Sequence, residues 1–251
     1  MTRSPVAIWV FDFDGTLSEI VADREAAVLH PDCRELLVEL TADDTNTVAI
    51  ISSRSLEDLR RRVPLPRIIL GGSSGLEWRM PDGTVLSPPA AMGERLEQSR
   101  NRLARALKPL QRVPGLEIED KKWSLAIHFR HVDPSAHEEI FAILERVATT
   151  PGIKMHRGPR VVEVQALLGM DKSTGLQRLI RATRGTSAGA RIVYAGDDEN
   201  DATAIRWTLS QGGMGFIVGD SIQVSGATRV PDPPSLAAAI RSVLLEKASV
   251  R

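Results

Sequence analysis

The stretch Asp12-Phe13-Asp14-Gly15-Thr16 decides the reading of this chain, because it directly follows the apolar run Val6-Ala7-Ile8-Trp9-Val10-Phe11. That run is unbroken rather than alternating, so it predicts a strand buried on both faces, with two carboxylates emerging at its C-terminal end. In an open parallel sheet, ligands bind at that end. Two acids on alternate residues suit phosphoryl transfer: one carboxylate can attack phosphorus while the other handles protons. Gly15 lets the backbone approach a phosphate whose oxygens Thr16 can hydrogen-bond. A strand ending in a polar turn would read the same way, so the stretch has to be weighed with the rest of the chain.

Three further features fall at predicted strand ends or helix starts. Val48-Ala49-Ile50-Ile51 is a buried strand ending at Ser52-Ser53-Arg54, and Ser55-Leu56-Glu57-Asp58 has the pattern of a capping box. A hydroxyl there can hold a phosphate oxygen, although Ser52 and Ser53 would serve equally as turn and cap residues. Lys172 precedes a helical pattern that Ser173 can cap. Ile192-Val193-Tyr194-Ala195 is another buried strand, ending in the acidic cluster Asp197, Asp198 and Asp201. That cluster lacks the sixth-position glycine and distal glutamate of an EF-hand, which leaves a solvated turn or a magnesium ligand set. Together the four features offer a carboxylate nucleophile, a proton-handling acid, an ammonium and a hydroxyl for phosphate, and oxygen ligands for Mg²⁺.

Arg67-Ile68-Ile69-Leu70 is a third strand, and the Gly71-Gly72-Ser73-Ser74-Gly75 cluster behind it reads as a tight loop, without the pattern of a nucleotide-binding loop. Ser87-Pro88-Pro89 then reads as a linker into a change of period. A long helix carries Met92, Leu96, Leu103, Leu107 and Leu110, and strands span Leu116 to Asp120 and Trp123 to Arg130. A second helix carries Ile140, Ile143, Leu144 and Val147, and strands Ile153 to His156 and Val161 to Gln165 flank Gly158-Pro159. This is an α+β module in an otherwise alternating chain. The expected organisation is an α/β core from residues 1–86 and 169–251, with a parallel sheet. An inserted α+β domain at 87–168 would act as a lid over the strand ends. Phe216-Ile217-Val218 gives a further strand, Leu236, Ile240, Val243 and Leu244 the last helix, and Pro231, Pro233 and Pro234 suggest a loop before it.

The 251 residues carry 32 basic and 32 acidic side chains, which argues against nucleic-acid and anionic-membrane partners. No apolar run approaches the ~18 residues of a membrane span, and the N-terminus lacks a signal-peptide pattern. Cys33 is the single cysteine. It lies on an apolar helical face, so a buried, inert thiol and a reducing cytoplasm are expected.

These residues resemble the haloacid-dehalogenase (HAD) superfamily of phosphatases: Asp12-Phe13-Asp14-Gly15-Thr16, Ile51-Ser52, Lys172, and Gly196-Asp197-Asp198 with Asp201. Closer motifs are similar to the trehalose-6-phosphate phosphatase family. They are Ile50 to Arg54, Gly75 to Arg79, Gly115 to Lys121, Ser124 to Arg130, Arg160 to Val164, and Gly169-Met170-Asp171-Lys172. The resemblance implies a Rossmann-like core with an αββαββ cap of the C2 type. It implies Mg²⁺-dependent hydrolysis of trehalose 6-phosphate through an aspartyl-phosphate. Asp12 would be the nucleophile and Asp14 the general acid/base. Asp12, Asp197 and the Asp14 carbonyl would ligate metal, supported by Asp198 and Asp201. Gly15, Thr16, Ser52 and Lys172 would hold phosphate, while Arg54, Glu119, Lys121, His128, Arg130 and Glu163 would meet the sugar. His128 and Arg130 flank Phe129 on a predicted strand and so share one face.

Three positions depart from the family: Ser53 for glycine, Ser74 for histidine and Asn200 for threonine. None removes a catalytic group, and Ser74 bears on substrate fit. A monomer functionally coupled to a trehalose-6-phosphate synthase is expected. The alternatives are a phosphatase of another sugar phosphate, such as glucosyl- or mannosyl-phosphoglycerate or sucrose phosphate, and a non-catalytic sugar-phosphate-binding protein.

Overall fold

The structure is a computed structural model that describes residues 7–21, 23–157, 160–166, 171–187 and 189–249. The Gly158-Pro159 turn and the Gly169-Met170 part of the last family motif lie outside the described residues. The chain divides into two compact units, one of Met1–Val21, Glu25–Ser87 and Asp171–Arg251, the other of Ala22–Arg24 and Pro88–Met170.

The first unit opens with β1 (Ala7–Phe11), α1 (Pro31–Ala42), β2 (Asn46–Ile51), α2 (Leu56–Arg62), β3 (Ile68–Gly72), β4 (Glu77–Arg79) and β5 (Val85–Leu86). The second contains α3 (Ala90–Leu107), β6 (Glu117–Asp120), β7 (Ser124–His128), α4 (His137–Ala148), β8 (Ile153–Arg157) and β9 (Val161–Ala166). The chain then returns through α5 (Lys172–Ser187), β10 (Arg191–Gly196), α6 (Glu199–Ser210), β11 (Met214–Val218), β12 (Thr228–Val230) and α7 (Pro233–Ser249).

The first unit is an eight-stranded sheet in the order β12-β11-β10-β1-β2-β3-β4-β5. Strands from β12 to β3 are parallel, and β4 and β5 form an antiparallel edge. The unbroken apolar runs are explained by helices on both faces. Ala7, Trp9 and Phe11 of β1 pack with Leu36 of α1, Leu59 of α2 and Ile240 of α7. Ile8 and Val10 point the other way, into a layer with Leu176 and Leu179 of α5 and Ile205 of α6. Cys33 is buried in the first layer, where burial pushes its thiol up to about 12, as expected of an inert cysteine. From β1 the chain builds outward through β2 and β3 on one side, and later through β10 and β11 on the other. The topological switch point therefore lies between β1 and β10.

The second unit pairs its strands in the order β6-β7-β9-β8, all antiparallel. One face carries Leu125, Ile127, Val162 and Val164, which bury against Leu103 and Leu107 of α3 and Ile140 and Leu144 of α4. The helix-strand-strand-helix-strand-strand order is the one expected from sequence. No helix among the described residues is long and apolar enough to cross a membrane.

Several local expectations are corrected. Pro233 and Pro234 open α7 rather than extend a loop, because the Asp232 carboxylate caps the helix by accepting from Ser235 N at 2.8 Å. Thr228–Val230 just before them is a strand. Asp171, not Ser173, caps α5, its carboxylate accepting from Thr174 N at 2.9 Å. Gly71 and Gly72 lie within β3 rather than in a loop. Gly71 makes room for Trp78 of the unforeseen β4, since a Cβ there would sit 2.5 Å from the indole ring. The strand pair β4 and β5 turns through Pro81-Asp82-Gly83, where the Asp82 carboxylate accepts from Thr84 N at 2.9 Å.

Candidate active site

The chain leaves β1 at Asp12, whose backbone N–H still donates to Ala195 O at 2.9 Å, continuing the β1–β10 ladder for one more step. It then turns sharply: Leu17 N and Ser18 N both donate to Phe13 O, and Gly15 N to Ser18 O. Gly15 has φ +82°, and a Cβ there would lie 2.3 Å from an Asp197 carboxylate oxygen. The glycine thus supplies both the left-handed turn and the space into which Asp197 fits. The Thr16 hydroxyl is buried and directed at Asp197 Oδ1, 3.4 Å away.

Across the switch point, β10 ends at Gly196 and the acidic cluster divides its duties. Asp198 is the N-cap of α6 and Asp201 its third residue, and the two make a reciprocal capping box. Asp201 is fully buried. Its Oδ1 accepts from Lys172 Nζ at 2.8 Å and Tyr194 Oη at 2.7 Å, and its Oδ2 from the backbone N–H groups of Asp197 and Asp198. Asp197 alone of the three stands beyond the helix, at the strand end.

Lys172 binds the two halves together. Its ammonium is buried and donates to Asp12 Oδ1 at 2.6 Å as well as to Asp201. Carboxylate oxygens of Asp12, Asp197 and Asp201 lie within 4.8 Å of one another, a group that could hold a metal ion. Both Asp201 oxygens already have donors, so Asp12 and Asp197 are the carboxylates with capacity for a cation. The electrostatics fit that role. Burial, then the negative charge of Asp201, pushes Asp197 up to about 7. Burial also raises Asp12, against the pull of Lys172 and with the help of Asp197 and Asp198. Crowded, buried carboxylates of this kind are stabilised by a hard divalent cation.

Ser52 and Arg54 approach from β2. Ser52 extends the parallel ladder by donating to Gly71 O, and its hydroxyl accepts from Arg54 N at 3.1 Å. Arg54 is buried, with Nη2 2.7 Å from Asp14 Oδ1 and Nη1 2.7 Å from Asp58 Oδ2. Ser55 caps α2 as the capping-box pattern predicts.

With this geometry in view, comparison with known proteins assigns the family. The family model for trehalose-phosphatase matches residues 10–230. The chain belongs to the trehalose-phosphatase family. It is 35% identical over 207 residues to the trehalose-phosphate phosphatase of Mycobacterium tuberculosis, a match covering 81% of this chain and 51% of the relative. It is 33% identical over 215 residues to a protein of the same organism described as an uncharacterized glycosyl hydrolase, covering 82% of this chain and 16% of that one. The chain thus spans about half the length of the curated phosphatase, and far less of the other relative. Among solved structures, a trehalose-6-phosphate phosphatase related protein matches with TM-score 0.71 at 19% identity, covering 98% of this chain and all of that one. The trehalose-6-phosphate phosphatase of Aspergillus fumigatus matches with TM-score 0.60 at 25% identity, covering 96% and 93%. HAD-like hydrolases share the fold as well.

The trehalose-phosphatase residues expected from sequence fall into two groups. Asp12, Asp14, Gly15, Thr16, Ser52, Arg54, Lys172, Asp197, Asp198 and Asp201 all belong to the first unit, at the strand ends and helix starts just described. In the second unit, Glu119, Lys121 and His128 come together: Glu119 Oε2 lies 3.1 Å from His128 Nε2 and 3.6 Å from Lys121 Nζ. Glu163, one strand across, is buried and accepts from Ser124 Oγ at 2.7 Å. Arg130 departs from expectation, lying in an exposed turn beyond β7 rather than on the strand with His128. Ser74 adopts φ +58°, and its N–H donates to Ser52 O at 2.8 Å. Asp58 and Tyr194 were not anticipated. The signals were an acid four residues after Arg54, and a lone tyrosine in a buried strand, whose hydroxyl needs a partner.

Proposed function

We propose that this chain is a magnesium-dependent phosphatase that converts trehalose 6-phosphate to trehalose and phosphate. The observation that carries the proposal is the convergence of Asp12, Asp197 and Asp201 with a buried Lys172 at the switch point of the sheet. Asp12 attacks phosphorus and the ester oxygen departs, taking a proton from Asp14. Asp14 then takes a proton from the water that hydrolyses the aspartyl-phosphate. Lys172 orients Asp12 and, with Ser52, faces the phosphoryl oxygens. Mg²⁺ would be held by Asp12, Asp197 and the Asp14 carbonyl, and would offset phosphoryl charge.

The inserted unit is read as the substrate-specificity module. Glu119, Lys121 and His128 offer a compact set of donors and acceptors for sugar hydroxyls, with Glu163 one strand across and Arg130 in the turn beyond the strand as further candidates. Phosphate release across a panel of phosphorylated sugars with Mg²⁺ tests the substrate. Trehalose 6-phosphate is expected to be turned over at least about tenfold more efficiently than sucrose phosphate or the phosphoglycerate glycosides, given that polar recognition discriminates strongly. Equal rates would remove trehalose from the proposal.

Metal binding has a distinctive pH signature. A carboxyl raised from 3.8 to about 7 binds protons more tightly folded than unfolded, as at Asp197. Its contribution to metal-free stability therefore falls as pH rises from about 4 to about 7. Mg²⁺ needs the ionised form, so it should raise Tm clearly at pH 8 and little at pH 5. Asp197→Asn should flatten the metal-free slope and abolish the Mg²⁺ response in thermal melts. A response of equal size at both pH values, or one surviving in the variant, would remove Asp197 from the metal site.

A further inference from the structure

We propose that Arg54 is the positioning residue for Asp14 rather than a reader of the sugar. The inference rests on the phosphatase reading, because it concerns the group that moves the leaving-group proton. Arg54 Nε lies 2.9 Å from Asp14 Oδ2 and Nη2 lies 2.7 Å from Oδ1, a fork against both carboxylate oxygens. Such a pair fixes the plane of the carboxylate as well as its distance. The third nitrogen, Nη1, is 2.7 Å from Asp58 Oδ2. The guanidinium lies 5.7 Å from the centre of the Phe13 ring, between the two catalytic acids in sequence. All three guanidinium nitrogens face carboxylates, and the side chain is 1% exposed, whereas that of Asp14 is 34% exposed. The arginine is thus enclosed while the carboxylate it holds is open on another side.

The grip is itself supported. Asp58 Oδ1 accepts from Arg62 Nε at 3.1 Å, and Asp58 N donates to the capping hydroxyl of Ser55. Against burial, which raises it, hydrogen bonds from Arg54 and Arg62 hold the Asp58 carboxyl at about 2, so its charge persists at neutral pH. Arg54 N also donates to Ser52 Oγ, and Arg54 O accepts from Ser73 N at 2.7 Å. One residue therefore ties the proposed phosphate-binding loop to the proposed acid. Asp14, on a turn after β1, gains through Arg54 a fixed orientation that its own backbone does not impose.

The test measures kcat/KM of the full chain with Mg²⁺ over aryl and alkyl phosphates of graded leaving-group pKa. It compares the parent with Arg54→Lys, Asp58→Asn, Asp14→Ala and the Arg54→Lys/Asp14→Ala pair. Arg54→Lys should lose about a hundredfold on alkyl phosphates but under about fivefold on 4-nitrophenyl phosphate, whose departing oxygen needs no proton. In the Asp14→Ala background it should have no further effect, because the group it orients is gone. Asp58→Asn, which leaves the arginine in place and frees one end of it, should steepen the leaving-group dependence in the same sense but less. Thermal melts establish that each variant is folded. A uniform loss across the series, a gain, or an additive loss in the Asp14→Ala background would overturn the role of Arg54 while leaving the phosphatase reading intact. Failure of the parent to hydrolyse trehalose 6-phosphate and every member of the series would overturn that reading, and this inference with it.

Discussion

Asp12→Asn is expected to lower phosphate release by at least about ten-thousandfold, the scale on which an enzyme loses rate when its nucleophile is removed. The substitution keeps the shape of the side chain and an oxygen for the Lys172 ammonium, which lies 2.6 Å from Asp12 Oδ1. It removes only the charge that attacks phosphorus. Because Lys172 keeps the Asp201 carboxylate as a partner at 2.8 Å and the amide oxygen can still accept from it, Asp12→Asn should leave Tm within a few degrees of the parent. Measuring released phosphate at saturating Mg²⁺ alongside a thermal melt separates chemistry from folding. A folded variant retaining about a tenth of parental turnover would end the assignment of Asp12 as nucleophile.

The second large effect belongs to Lys172, which should be needed for folding as well as for turnover. Lys172→Met leaves Asp12 and Asp201 buried beside each other without their shared cation. Removing one member of a buried ionic group costs about 3–5 kcal/mol. For a chain of this length that corresponds to a Tm lowered by roughly 10 °C in metal-free buffer. Mg²⁺ should recover part of that loss by replacing positive charge beside Asp12, without recovering phosphate release, since the ammonium facing the phosphoryl group is still missing. An unchanged metal-free Tm would show that the buried carboxylates are neutral in the parent.

The parts of the fold that could be read from sequence are those in which one periodic signal dominates. Val6 to Phe11 and Val48 to Ile51 announce buried strands because helices cover both faces, and the switch to helix-strand-strand order marks the inserted unit. Short elements were lost where packing overrides local signal. Glu77–Arg79 is a strand because Trp78 lies over Gly71, a long-range contact that no propensity reveals. The prolines at 233 and 234 read as a loop until Asp232 is seen to cap the helix they begin. In the site, residue types announced the acids that converge at the strand ends, but not their division of labour. Asp201 is saturated by four donors and Asp197 is left available, a distinction that follows from the turn into α6 rather than from the letters Asp-Asp-Glu-Asn-Asp. Arg54 likewise announced only a positive charge; that its fork holds the Asp14 carboxylate follows from the fold.

The Ser87 carbonyl accepts a hydrogen bond from Arg178 Nη2 at 2.9 Å. The last residue before the insertion is therefore tethered to the first helix after it, and the departing and returning chain are stitched together within the sheet-bearing unit. The intervening stretch can then be exchanged as a cassette while the sheet-bearing unit keeps its own closure.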